Sequence, residues 1–226
     1  MPSIGQGAGL KNSPALQESG AARAPAGFAG RHFLETMQKA AGEGKLASDL
    51  VAHCSPTLAG LKTANLFGYR FSSREILARD VRAANMKLNP KGVFVEILCV
   101  RKCAQILVYR LSRLAADLAQ DAAREFLEAY GYRTNSIDDC IARLKQRFIS
   151  PDGFPHEVGL FLGYPLPDVI DFIKHQGKNS KCTGCWQVYH DEREAEKLFE
   201  KYQRCKAVYS RLFLQGKPIE RLIVAG

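Results

Sequence analysis

Runs of apolar residues, broken by short polar links, predict a mixture of strands and helices. The two most apolar stretches are residues 92–100 and 104–110, and only Arg101-Lys102-Cys103 separates them. Two apolar segments joined in this way form an antiparallel hairpin, and their near-continuous apolar character indicates burial on both faces. The hairpin is therefore predicted to lie at the centre of the fold.

Apolar residues at helical spacing predict most of the remaining elements. Helices are expected over residues 31–41, 46–51, 73–86, 112–130, 136–148, 155–162, 167–175 and 191–214. A strand is predicted over 186–189 and a possible last strand over 222–224. Because the order is not a regular βαβ alternation, the predicted fold class is α+β (or α/β). It would hold a small mixed sheet with a central antiparallel hairpin, wrapped by about seven helices.

The first residues differ from the rest of the chain in composition. Residues 1–27 are rich in Gly, Ala, Ser and Pro and have few large apolar side chains, so they cannot bury enough surface to offset the entropy of ordering. They are predicted to be a disordered tail. Residues 28–226 are expected to form a single globular domain, since a chain of this length can bury a substantial core.

The apolar runs and the cysteine content bear on where in the cell the protein is expected. No apolar run approaches the roughly 18–20 residues that cross a bilayer, and no export signal precedes the domain, so no membrane partner is expected. The seven cysteines are an odd number spread over a long chain, unlike a disulfide-stapled secreted domain. We therefore expect a cytoplasmic protein with reduced or metal-bound thiols.

A net charge of +9 permits nucleic-acid or anion binding without requiring it. The chain has no arginine-rich run and no aromatic-basic signature of an RNA-binding sheet. A nucleic-acid partner is therefore not favoured, and an ordinary basic surface is the simpler interpretation.

A Cys-x-x-Cys pair with a following histidine is the most conspicuous candidate for chemistry. Cys182, Cys185 and His190 fit three positions of a C-x2-C-x4-H-x4-C zinc knuckle, but the fourth position is Ala195. Zinc or iron would therefore need a distant ligand. The two thiols could instead act as a redox dithiol, although they precede a strand, so no helix dipole lowers a thiol pKa. Two loop thiols without a dedicated role are the simplest interpretation.

Cys54 is the more interesting single thiol. Ser55 and Pro56 resemble the N-cap and first residue of a helix, which would place Cys54 beside a helix N-terminus and next to His53. A helix N-terminus and an imidazolium both stabilise a thiolate. Cys54 and His53 are therefore candidate catalytic residues, against the simpler interpretation of a packed, inert cysteine.

Four further residues join Cys54 as candidate ligand-binding residues. Lys62 follows Cys54 closely enough to reach a pocket beside it, while Lys178 and Asn179 belong to a Gly-Lys-Asn turn. That turn lacks the remaining positions of a phosphate-binding loop. Trp186, the only tryptophan, follows the cysteine pair.

Four segments resemble one bacterial family, known as domain of unknown function 3793. They are HCSPTLAGLK at 53–62, FPHEVGLFLGYPLPDV at 154–169, GKN at 177–179 and WQVY at 186–189. The resemblance covers most of residues 50–210 and implies a soluble bacterial cytosolic protein, with no activity or catalytic residue to transfer. An aromatic residue often stands in that family at the position of Cys185, which lowers the value of the cysteine pair as a family-wide site.

Together these observations favour an accessory protein that binds a small ligand or a metal ion between the Cys54 loop and the Cys182–Tyr189 segment. Binding groups concentrate in loops of this kind. A thiol-dependent enzyme or redox protein is the first alternative, and a basic nucleic-acid or anion-binding module is the second. The spatial relation of Cys54 to Cys182 and Cys185 distinguishes one shared site from separate thiols.

Overall fold

The computed structural model describes residues 44–224, so the predicted tail 1–27 and the predicted helix 31–41 lie outside the described residues. The α-helices of the described part are α1 Lys45–Leu58, α2 Arg74–Leu88, α3 Leu111–Leu118, α4 Asp121–Glu128, α5 Ile137–Ile149, α6 Val158–Phe161, α7 Leu166–His175 and α8 Glu192–Leu214. The strands are β1 Ala64–Tyr69, β2 Val93–Val100, β3 Ala104–Arg110, β4 Cys182–Thr183 and β5 Gln187–Val188. Short 3-10 turns cover Asn89–Lys91 and Ile219–Arg221.

The main sheet has three strands in the order β1-β3-β2, and both pairings are antiparallel. The predicted hairpin of β2 and β3 is confirmed, with Ile97 opposite Ile106 and a bulge before Cys99. β4 and β5 form a separate two-stranded hairpin. This small antiparallel sheet among many helices confirms the predicted α+β class.

Burial on both faces of the sheet is also confirmed. Successive side chains of a strand point to opposite faces, so Ile106 and Val108 pack towards α1 and α2. Leu107 and Tyr109 pack instead among residues of α3 to α7. Two apolar clusters thus enclose the central strand, and all four of these side chains are buried.

Local capping signals fix two of the helices. The Ser73 hydroxyl accepts a hydrogen bond from the backbone N–H of Ile76, and Ser136 accepts one from Asp139. Serine side chains satisfy amide groups that have no partner in the first helical turn. α2 and α5 therefore begin where the sequence predicts.

A single predicted helix over 112–130 is wrong, because the chain breaks between α3 and α4. Gln120 adopts an extended conformation (φ −64°, ψ 132°) before α4 begins. The break changes which residues face the core: Ala123 and Leu127 are buried, whereas Ala122 is exposed. In an unbroken helix, Ala123 and Leu127 would point away from the apolar cluster.

The predicted last strand at residues 222–224 does not form. The chain instead makes the 3-10 turn Ile219–Arg221 and then lies against the end of α1, where the Val224 N–H donates to the Leu58 carbonyl over 3.1 Å. Within residues 44–224, every helix is too short or too polar to cross a membrane.

Candidate functional site

The predicted helix start at Ser55 is wrong. α1 runs from Lys45 to Leu58, so Cys54 and Pro56 lie inside it, and no helix N-terminus faces the Cys54 thiol. A proline within a helix removes one backbone hydrogen bond, and here the Ser55 hydroxyl donates to the Val51 carbonyl in the same turn. The serine and proline that resembled a helix start therefore belong to its last turns.

Cys54 and His53 do not form an activated pair in this setting. Cys54 is fully buried, and burial raises the pKa of its thiol to about 12. The His53 ring stacks on Phe67 with 5.2 Å between ring centres, and burial lowers the pKa of the imidazole. Both shifts favour the uncharged forms at neutral pH, so the thiolate expected at Cys54 is not stabilised.

The chain reverses after α1 and carries Lys62 into the interior. The N–H groups of Leu61 and Lys62 both donate to the Pro56 carbonyl, at 2.8 and 3.1 Å. The Arg110 guanidinium stabilises the same turn by donating hydrogen bonds to the carbonyls of Thr57 (2.6 Å) and Leu58 (2.5 Å). As a result Lys62 is only 5% exposed, which is unusual for a lysine.

The Lys62 ammonium has an aromatic ring and thiols for neighbours. Its Nζ lies 4.9 Å from the centre of the Tyr164 ring, a cation–π distance. Burial lowers the pKa of Lys62 to about 8, the nearby Cys185 opposes that shift, and Lys206 reinforces it. Among residues 44–224 no carboxylate forms an ion pair with this ammonium.

A second lysine, Lys206, is half-buried on α8. Its charge lowers the pKa of Lys62, Cys54 and Cys185. We refer to Lys62, Tyr164, Cys185 and Lys206 as the Lys62 cluster. It has two cationic side chains and no acidic member.

Tyr164 joins the Lys62 cluster to the β4–β5 hairpin. Its hydroxyl donates to the Cys185 carbonyl over 2.9 Å, and its ring stacks on Trp186 with 5.1 Å between centres. The other side of Trp186 meets Phe199 of α8 edge-on at 4.7 Å. Tyr164 therefore contacts both the Cys185 backbone and the Lys62 ammonium.

The two thiols of the Cys-x-x-Cys pair have different surroundings. After burial, the largest influences on the pKa of Cys185 are Lys62 and Lys206, whereas those on Cys182 are Glu192 and Glu196. Burial is the first cause of a raised pKa at both thiols. Neither thiol forms a disulfide, and the environment does not favour a reactive thiolate at either.

The predicted metal ligands do not converge. His190 Nε2 lies 2.9 Å from the Asp171 carboxylate, and no trio of His, Cys, Asp or Glu side chains within residues 44–224 is placed to hold a metal ion. Cys54 and Cys185 both influence the pKa of Lys62, but no metal-binding group forms around them within the described residues. The geometry therefore gives the zinc and iron hypotheses no support.

The other predicted ligand residues divide into two groups. Lys178 and Asn179 are exposed on the turn after α7, where Asn179 has a left-handed backbone (φ 63°), and no contact described for the Lys62 cluster involves them. Trp186 is buried next to Tyr164 and belongs to the wall of the cluster. Lys62 and Trp186 are thus brought together.

Sequence reasoning missed Tyr164, Lys206 and Asp168. Asp168 is 3% exposed, and its carboxylate accepts hydrogen bonds from the Trp186 indole and from two backbone N–H groups of the hairpin. Its position in the first turn of α7, directly after a proline, was the available signal. Lys206 gave no signal, because in sequence it is one of many helical lysines.

An apolar cavity of about 170 Å³ lies elsewhere, between α1, α2 and the 3-10 turn at Ile219. Leu46, Leu50 and Leu88 line it, with Asp80 among its few polar residues. None of the Lys62 cluster lines this cavity, so the two features are separate.

Comparison with known proteins places the chain in a family without assigning it a chemistry. No curated protein and no solved structure matches the sequence. The family described as "Protein of unknown function (DUF3793)" matches residues 50–223, which include the whole Lys62 cluster and the Asp168 contacts. The match covers well over half of the chain, and this protein therefore belongs to the DUF3793 family.

Proposed function

We propose that this protein binds a small anion, a carboxylate or a phosphate, between Lys62 and Lys206. The observation that carries the proposal is that Lys62 is only 5% exposed and its ammonium has no carboxylate partner among the described residues. A buried charge is costly unless a counter-charge compensates it. A bound anion would supply that counter-charge.

The immediate neighbours of Lys62 do not compensate its charge. The Tyr164 ring offers a cation–π contact, worth about 0.5–2 kcal/mol. Cys54 and Cys185 would help only as thiolates, and the pKa of both thiols is raised by burial. At neutral pH the cluster therefore holds a positive charge between an aromatic ring and uncharged thiols.

Lys206 supports an entry route from solvent. It is half-buried on α8, in contrast to the interior position of Lys62, and its charge reaches the same groups. Two ammonium groups of this kind attract an anion and offer it several hydrogen-bond donors. The proposal thus keeps the predicted small-ligand function and the predicted Lys62. The Cys54 thiol and the exposed Lys178–Asn179 turn have no part in it.

The test measures thermal stabilisation and binding heat with sodium acetate, sodium pyruvate and sodium phosphate at constant ionic strength. A ligand that binds only the folded state raises the melting temperature with concentration. We expect at least one of the three anions to stabilise the protein, and the preferred one separates a carboxylate site from a phosphate site. Stabilisation by none of the three would overturn the proposal.

Variants assign the binding to the cluster. Lys62→Met should weaken binding at least about tenfold, because it removes a buried charge from the contact, and Lys206→Met should weaken it less. Lys201→Met is the matched control, since Lys201 is exposed on α8 near Lys206. Equal binding by Lys62→Met and Lys201→Met would contradict the assignment.

A further inference from the structure

We propose that Lys62 acts as an amine nucleophile that forms a Schiff base with a small 2-oxo acid, whose carboxylate is held by Lys206. This inference rests on the proposed anion-binding function and names its ligand class. It assigns the two cationic residues different tasks, one covalent and one electrostatic.

The surroundings of Lys62 are those that activate an amine. A lysine becomes nucleophilic when it is desolvated among apolar groups or placed next to a second cation. Lys62 meets both conditions: it is 5% exposed against the Tyr164 ring, and the charge of Lys206 lowers its pKa. No described carboxylate holds its proton in place.

The protonation state agrees with this geometry. Because the pKa of Lys62 is lowered to about 8, a sizeable fraction is uncharged amine in mildly alkaline solution. The competing nucleophile, the Cys185 thiol, has a pKa raised mainly by burial, which keeps it protonated. The amine is therefore the better nucleophile of the cluster.

The reaction is balanced without a further reagent. The ammonium first loses a proton to solvent, and the nitrogen lone pair forms a bond to the carbonyl carbon while the C=O π electrons move to oxygen, which takes up a proton. The nitrogen then loses one proton, the hydroxyl leaves as water after protonation, and the resulting iminium releases its remaining N–H proton to solvent. Amine and 2-oxo acid give imine and water, and nothing is oxidised or reduced.

Lys206 favours a substrate that carries an anionic group beside the carbonyl. A neutral aldehyde would meet Lys62 alone, whereas a 2-oxo acid also places a carboxylate within the field of the second ammonium. Holding the carboxylate orients the carbonyl towards the amine, and such positioning accelerates addition.

The experiment traps the imine. The full-length protein is incubated with pyruvate and sodium cyanoborohydride, and the modified residue is identified by peptide mass spectrometry. We expect one predominant adduct, at Lys62, formed at least about tenfold faster than at exposed lysines such as Lys201. An excess of acetate should suppress it, and propionaldehyde, which has no carboxylate for Lys206 to hold, should label Lys62 with a smaller preference.

Lys62→Arg separates this inference from the proposed function, because arginine keeps the positive charge but does not form the imine. The variant should retain stabilisation by acetate and lose the adduct.

If the wild-type protein is stabilised by pyruvate or acetate yet shows no preferential adduct at Lys62, the Schiff-base inference is overturned and the anion site stands. If it shows neither stabilisation nor adduct, both proposals are overturned. Acetate competition on the wild-type protein decides the question without any variant.

Discussion

The indole Nε1 of Trp186 donates a 2.8 Å hydrogen bond to the buried carboxylate of Asp168. The second carboxylate oxygen accepts the backbone N–H groups of Tyr189 (2.9 Å) and His190 (3.1 Å). One side chain in the first turn of α7 therefore holds the hairpin that carries Cys185. The same carboxylate is favourably placed near the positive end of the helix dipole.

Replacing Asp168 with asparagine should loosen that hairpin. The amide has nearly the same size but turns one acceptor into a donor, so at least one of the three hydrogen bonds is lost together with the charge. We expect Asp168→Asn to lower the free energy of unfolding by about 2–3 kcal/mol, measured by urea denaturation with Trp186 fluorescence. Asp171→Asn is the matched control on the same helix, because Asp171 pairs with the exposed His190, and it should cost less than about 1 kcal/mol. Equal losses would argue against a special role for Asp168.

Local signals made part of the fold predictable. Ser73 and Ser136 cap their helices through contacts three residues away, and the apolar runs of the hairpin identify β2 and β3. Pro56 misled for a related reason, since proline is common at a helix start and rare inside one. The sequence consequently predicts Cys54 beside a helix N-terminus, whereas the structure has it buried inside α1.

The Lys62 cluster was only partly predictable, because long-range packing creates it. Lys62 stood out for its closeness to Cys54 in sequence, but its chemistry depends on the ring of Tyr164 and on the charge of Lys206 on α8. Those residues come from separate parts of the chain, and no spacing rule joins them. The sequence therefore indicated two members of the cluster, Lys62 and Cys185, but not that they share one site.

Cys54 should behave as an inert core thiol. With its pKa raised to about 12 and its side chain fully buried, it has little thiolate at pH 8 and no direct access to reagents. We expect iodoacetamide to modify Cys54 at least about 100-fold more slowly than the partly exposed Cys103, as measured by peptide mass spectrometry on the folded protein. The two rates should converge in urea. Comparable rates in the folded protein would instead revive Cys54 as a nucleophile.

Gly184, between the two cysteines of the hairpin, is required by close packing. A Cβ added there would lie 2.2 Å from the ring of Phe199, which also packs against Trp186. We expect Gly184→Ala to destabilise the protein by about 1–3 kcal/mol and to shift the Trp186 emission, because the ring must move. Gly44→Ala is the control, since no atom lies within 4 Å of its added Cβ, and it should stay within about 0.5 kcal/mol.

A double variant tests the cause of that effect. If the clash with the ring is responsible, Phe199→Leu should cost less in the Gly184→Ala background than in the wild-type protein. Purely additive losses would show that Gly184 acts on the hairpin backbone and not through Phe199.

Lys62 should make the free energy of unfolding depend on pH. Its pKa falls from 10.5 to about 8 on folding, so between these values the unfolded chain binds more protons than the folded one. The contribution of Lys62 to the free energy of unfolding therefore rises as pH increases through that window. Below pH 8 the folded state carries the full cost of the buried ammonium, and above 10.5 it carries none.

Lys62→Met removes this cost and keeps a long unbranched side chain at the position. We expect the variant to be more stable than the wild-type protein at pH 7, by up to roughly 3 kcal/mol, and the difference to shrink towards pH 10. Urea denaturation of both proteins at the two pH values measures it, and comparing them cancels the other titrating groups. If Lys62 binds an anion, the variant should gain stability at pH 7 and lose anion binding. The cost of burying the ammonium would then be retained for function. A constant difference between the proteins at pH 7 and pH 10 would show that the Lys62 ammonium is already compensated, and the anion proposal would lose its main support.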